Sequence, residues 1–173
     1  MKDSIAPEQL RKHEIPGHVT IADGNGGLPT LLVKTRHSTA EICLHGAHVT
    51  GFQKNGEPPL LFMSGLSQFA DDKPIRGGVP ICFPWFGPHE NAPAHGFARI
   101  TDWELAGTTV LPDGSVCVRF RLPKNVGGTE AFPGTVEFLV TVRETLTMEL
   151  SVVNSSGSPM SFENCLHTYF TIG

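Results

Sequence analysis

From Gly17 onward the chain alternates short apolar runs with turn residues, HVTIA, DGNGGLP, TLLVKT and AEICLH succeeding one another over residues 18–45. Apolar segments of that length bounded by Gly, Pro, Asn and Asp read as strands and turns. The alternation is sharpest near the end of the chain. Val136, Phe138, Val140 and Val142 occupy every second position, and Leu146, Met148, Leu150 and Val152 repeat the pattern after Glu144. A period of two puts each set on one face of a sheet, which predicts two antiparallel strands joined by a tight turn. In SVCVRFRL (residues 115–122), Val116, Val118 and Phe120 share one face, leaving Arg119 and Arg121 on a solvated outer face. LLFMS (60–64), the Trp103/Leu105 alternation and MSFENCLHTYFTIG (160–173) supply further strands. With about ten short strands and almost no helix, the pattern predicts an all-β protein, an antiparallel β-sandwich.

Three stretches break this rhythm. Residues 4–14 predict one short helix, but Leu10 is almost its only apolar residue after the start, so residues 1–16 are expected to be a loosely attached terminus. LHGAHVTGFQ (44–53) carries His45 and His48 three residues apart. A strand junction or bulge holding two partly buried histidines is one reading. Metal ligation in a cupin-like barrel, with a further His as third ligand, is the other. The third stretch, IRGGVPICFPWFGPHENAPAHGFAR (75–99), is dense in Gly and Pro. Proline fixes φ and removes a donor while glycine opens positive φ, so this segment is a shaped loop and not a long helix or central strand. Loops this long inside a compact domain line a binding site or are disordered, and the Phe-Pro-Trp-Phe run argues for a site.

Composition narrows the function. The 173 residues amount to about one domain, spanning 1–173, able to bury roughly 70% of the unfolded chain's surface. The chain is 39% hydrophobic and 17% charged, with no apolar run of membrane-spanning length and no N-terminal secretory signal, so the expectation is a cytoplasmic protein with no membrane partner. Cys43, Cys82, Cys117 and Cys165 are widely spread with no CxxC, which argues against zinc or a disulfide framework and leaves thiols that pack as small hydrophobes. A net charge of −4 and the lack of a basic stripe argue against nucleic acid, yet a local pair of arginines can still hold a small phosphate.

Arg76, His95, Arg99 and His167 then stand out. Two guanidinium forks suit phosphate, two imidazoles can exchange protons near neutral pH, and Trp85, Phe86 and Tyr169 can wall a sugar ring. Three motifs, IRGGVPICFPWFG (75–87), HGFAR (95–99) with Trp103 beyond it, and LHTYF (166–170), closely resemble the hexose-6-phosphate mutarotases, the glucose-6-phosphate 1-epimerases of the aldose 1-epimerase superfamily. The similarity runs from about Leu31 to the end of the chain. It implies a galactose mutarotase-like β-supersandwich, of which this chain is a part, and an isomerase that interconverts α and β anomers of a hexose 6-phosphate with no cofactor and no metal. It further implies that His167 is the general acid at the ring oxygen, that His95 helps hold the ring, and that Arg76 and Arg99 bind the phosphate. Other roles open to these residues are a loop cap for His95 and ion pairing with Asp102 or Glu104 for Arg99.

The departure from the family pattern is at the C-terminal side. Family members continue past the HTYF strand and carry their catalytic base, a Glu, in that part, so the chain looks truncated and is expected to be weak or inactive by itself. Glu163 shares a strand face with His167 but lies about 13 Å away by strand rise, too far to serve as that base. Uncovered sheet edges predict self-association. The competing function is a non-catalytic sugar-phosphate-binding β-sandwich.

Overall fold

The computed structural model describes residues 7–124, 126 and 132–172. Two four-stranded antiparallel sheets form the body. The first, in the order β1-β2-β3-β4, comprises Val19–Asp23, Pro29–Lys34, Ser38–Cys43 and His48–Lys54. The second is made of β6 (Glu104–Val110), β7 (Val116–Arg121), β8 (Gly134–Val142) and β9 (Leu146–Asn154), again in sequence order. Each is a meander, every strand pairing antiparallel with the next one in sequence. The expected antiparallel sandwich is the fold that forms.

The period of two does the packing. In β7 and β8 the residues Val116, Val118, Phe120, Phe138, Val140 and Val142 are all fully buried. They meet Leu31, Val33, Ile42 and Val49 of the first sheet in one cluster that also encloses Trp103. Burying side chains of this size contributes about 1.5–3 kcal/mol each. The two sheets are also tied directly, Ser38 Oγ donating to the Arg143 carbonyl. Arg119 and Arg121 point outward as expected, and Arg121 pairs with Glu137 at 2.9 Å. On β9 the parity holds but the burial does not, since Leu146, Met148, Leu150 and Val152 are only partly covered. β9 is an edge strand, so one flank of its inward row has no neighbouring strand to cover it.

Three expectations need correction. A helix does form, α1 at Pro7–Arg11. The segment from Leu10 to Ile15, expected to be loose, is anchored: Leu10 enters the core, Thr108 Oγ1 donates to the His13 carbonyl at 2.6 Å, and the Ile21 N–H donates to Glu14 at 2.9 Å. Leu10 and the partly buried Ile15 are enough when backbone and carboxylate bonds add to them, and residues 1–6 lie outside the described part. The segment 60–64 is not a strand. It makes only single bridges, Leu61 with Phe170 and Met63 with Gly77, because Pro58, Pro59 and the Gly77-Gly78 pair interrupt any longer ladder. Likewise the C-terminal stretch contributes only β10 (Cys165–Leu166), which pairs with β5 (Ile81–Cys82) inside the Gly/Pro-rich loop. Beyond β10 the chain stays extended, the His167 N–H donating to Pro80 O and the Tyr169 N–H to Gly78 O.

Candidate active site

His45 and His48 are fully buried rather than partly so. The expected bulge lies beside them: β3 and β4 slip register at Glu41/Ile42, and Thr50, opposite the slip, donates to the Glu41 carboxylate at 2.8 Å. His45 Nδ1 lies 2.8 Å from Asp102 and its Nε2 is 3.0 Å from the Lys73 carbonyl, while His48 Nε2 donates to Gly77 O at 2.8 Å. Three of the four ring nitrogens are thus committed to protein partners, which leaves no converging lone pairs for the cupin-like reading. Burial drives the His48 pKa down to about 4, so its ring is neutral and the Nε2 proton is the one it donates. These two histidines are braces: His48 holds Gly77, the residue after Arg76, and His45 holds Asp102, three residues past the end of the HGFAR turn.

The loop between Arg76 and Arg99 closes on itself through His95. Its N–H donates to Gly87 O at 2.7 Å, and its Nδ1 accepts from the Gly87 N–H at 3.1 Å. Because Nδ1 accepts, the neutral ring carries its hydrogen on Nε2. His95 adopts a φ of +64, and Gly96 one of +73. A Cβ on Gly96 would stand 2.0 Å from Phe83 O, the oxygen that also takes the N–H groups of Phe97 and Ala98. Only glycine permits that approach. Arg99 then sits in a short 3-10 turn, Ala98–Ile100, half-buried, its Nη2 donating to Ala94 O at 2.6 Å while Nε is buried with no partner among the described residues.

The side chains expected to cluster do so, with one exception. The His95 and His167 rings lie 6.4 Å apart and nearly parallel at 29°. Phe86 packs edge-on against both, 4.7 Å from His95 and 6.1 Å from His167, and Tyr169 closes the far side at 4.8 Å from His167. Partial burial and the cationic fields of Arg99 and Arg76, together with His167, lower the His95 pKa. Burial and the neighbouring Arg76 charge lower that of Arg99, against which Cys82 and Tyr169 pull upward. Arg76 is exposed, its backbone N–H fixed by Ser67 Oγ at 2.9 Å. Two cations within each other's field, with few acceptors spent on them, favour an anion between them. Trp85 is the exception. It packs on His89 at 4.5 Å and on the buried Phe97 at 5.9 Å, and donates to Pro93 O, bracing the loop against the core.

Glu163 has a job that its spacing did not reveal. Its carboxylate accepts from the Phe86 N–H at 2.7 Å, and its own N–H donates to Pro84 O at 2.9 Å. It therefore fixes the aromatic that touches both histidines. The signal available in sequence was only that 163 and 167 share strand parity; which loop came to meet them was invisible.

An antiparallel sandwich whose loop and last strand gather two imidazoles, two guanidiniums and two aromatic rings matches a known class. The aldose 1-epimerase family profile matches residues 29–173, and the chain belongs to the aldose 1-epimerase family. It is 34% identical over 148 residues to an Escherichia coli protein named "Putative glucose-6-phosphate 1-epimerase", covering 84% of this chain and 49% of that protein. A Cenchrus ciliaris protein of the same name is 33% identical over 157 residues, with 84% and 48% covered. The crystal structure of "a putative mutarotase" from Salmonella typhimurium superposes with a TM-score of 0.82 at 28% identity, covering 93% of this chain and 54% of that one. The chain thus spans about half the length of the curated relatives it matches. Among the described residues no helix is long and apolar enough to cross a membrane.

Proposed function

We propose that this chain carries the substrate-holding and acid half of a hexose-6-phosphate anomerisation site. One observation carries the reading: His95, His167, Phe86 and Tyr169 form a contiguous set of rings beside the Arg76 and Arg99 charges. Relatives named as glucose-6-phosphate 1-epimerases support the choice of ligand.

Interconverting anomers requires a proton to reach the ring oxygen while another leaves the C1 hydroxyl, after which the open aldehyde rotates and recloses. His167 is the group assigned to the ring oxygen. His95, with Nδ1 engaged, presents an Nε2–H as a fixed donor to a sugar oxygen. The arginines take the phosphate, with Phe86 and Tyr169 against the ring. A positioned acid supplies about 10²–10⁴ in rate. Glu163 is assigned the support of Phe86, whose N–H its Oε2 accepts at 2.7 Å, and no residue of this chain is assigned as acceptor for the C1 proton. The second reading is a sugar-phosphate-binding sandwich without turnover.

Calorimetric titration with glucose 6-phosphate and with glucose tests the first claim, and exchange NMR of the two anomers tests the second. The expected result is binding that needs the phosphate and weakens at least about tenfold in Arg99→Ala, the loss of one charge-assisted contact. Equal affinity for glucose and its phosphate would remove the arginine assignment. Anomer exchange unaffected by His167→Ala would favour the binding module.

Two further parts belong to the same proposal. A cytoplasmic setting fits four free thiols and a phosphorylated metabolite. Self-association along β9 fits its half-covered row and the cleft of about 710 Å3 beside it, lined in part by Leu60, Leu61, Leu146, Met148 and Phe170. Sedimentation across a concentration series checks it.

A further inference from the structure

Cys82 and Cys165 face one another in register. They are Cα partners across the antiparallel β5/β10 pair, and directly opposed residues project from the same side of a sheet. The rungs two residues away on either side are hydrogen-bonded, Glu163 N–H to Pro84 O at 2.9 Å and His167 N–H to Pro80 O at 3.1 Å. Strand alternation therefore puts Cys165 and His167 on one face. On the other strand Cys82 lies within the field of the Arg99 guanidinium. Cys165 is thus two residues from the proposed acid on the same strand, Cys82 is beside the proposed phosphate ligand, and the sugar chemistry uses neither thiol.

We propose that Cys82 and Cys165 are a redox modification site, a reversible disulfide that staples the strand carrying His167 to the strand beside Arg99. Opposed Cα atoms in an antiparallel pair lie about 4.5–5.5 Å apart, within the 4.4–6.8 Å a disulfide accepts. Their Cβ atoms, about 4.5–5.5 Å apart in such a pair, must close to about 3.5–4.5 Å. β10 therefore has to move toward β5, and the bond is strained and easily reduced, which is the property of a regulatory disulfide rather than a structural one.

The chemistry balances with a small-molecule disulfide as oxidant. Cys165, the partly exposed member, attacks as thiolate; the oxidant's S–S bond breaks, one thiol leaves, and a mixed disulfide forms on Cys165. Cys82, fully buried, then attacks that sulfur, expelling the second small thiol. Two protein thiols have lost two protons and two electrons, and the oxidant has become two thiols. The remaining cysteines lack this arrangement. Cys43 packs with Leu28 and Ile75, and burial raises its pKa to about 11. Cys117 lies in β7 opposite Thr109 and Thr141.

The test equilibrates the full 173-residue chain in a series of reduced and oxidised glutathione buffers, traps free thiols by alkylation and maps the peptides. The expected product is a Cys82–Cys165 cross-linked peptide that dithiothreitol reverses, with Cys43 and Cys117 still alkylated. Cys117→Ser leaves it intact, and Cys165→Ser, at a partly exposed position that does not threaten folding, abolishes it. Oxidation should also shift the His167 imidazole NMR signals and leave those of His45 and His48 in place. Stable glutathionylation of Cys165 without cross-linking, cross-linking to a different cysteine, or an unmoved His167 signal would each overturn the proposal. The readouts are thiols and a histidine, so failure of the sugar-phosphate reading would not touch them.

Discussion

Two pairs of histidines divide the work of this molecule. His45 and His48 are buried at the bulge of the first sheet with three of their four ring nitrogens bonded to Asp102 and to main-chain carbonyls. His95 and His167 stand at the loop surface, stacked 6.4 Å apart, flanked by Phe86 and Tyr169, with only His95 Nδ1 given to the scaffold among the described residues. Residue type is the same in both; the difference is whether the ring's hydrogen-bonding capacity is spent on the fold. Spent nitrogens stabilise, and unspent ones in a cationic field are free to meet a ligand.

The sharpest way to break that comparison is His45→Ala. A fully buried ring is removed and its acid and carbonyl partners are stranded, so stability measured by denaturant titration should fall by about 3–5 kcal/mol. A loss under about 1 kcal/mol would mean that the buried pair is not a brace.

The next effect comes from pH. The folded-state pKa of His48 is lowered to about 4 from an ordinary 6.5, so the unfolded chain binds the extra proton first. Stability from this group is fully present above about pH 6.5, falls as pH drops through that window, and has lost on the order of 3 kcal/mol once pH is below about 4. Denaturation curves at pH 7 and pH 5 should differ in that direction, and the slope attributable to this site should vanish in His48→Asn, whose amide can still donate toward Gly77 O.

The smallest stability effect belongs to the other pair. His167→Ala removes a partly exposed ring that meets Phe86 and Tyr169 through ring contacts, so stability read from the melting curve should shift by no more than about 1 kcal/mol. Any anomer exchange of glucose 6-phosphate should fall by about a hundredfold or more. A variant that unfolds would place His167 with the braces.

Much of this organisation was legible beforehand, unevenly. Strands β7, β8 and β9 were readable because a period of two survives wherever one face is buried, and Val136 to Val142 alternate without a break. The residues that come together, His95, His167, Phe86 and Tyr169, stood out in motifs that carry Gly, Pro, His and Arg in a spacing that no strand requires. Trp85 was not legible: a Trp in an aromatic run looks the same whether it faces a ligand or, as here, packs on His89 and on Phe97 at the edge of the core. Nor was the anchoring of residues 10–15, which rests on hydrogen bonds to Thr108 and Ile21 that no local pattern announces.

By itself the amino-acid order determined which faces are apolar, where glycine must admit a close approach, and which polar residues are too concentrated to be turn punctuation; side-chain chemistry at fixed spacing along one strand or loop is enough for each. Only the tertiary structure decided that Glu163 would hold Phe86, that His45 would spend both nitrogens, and that Cys82 would oppose Cys165. Those pairings join residues far apart in the chain, and register between distant segments is set by the summed packing of the core, a quantity that no single stretch contains.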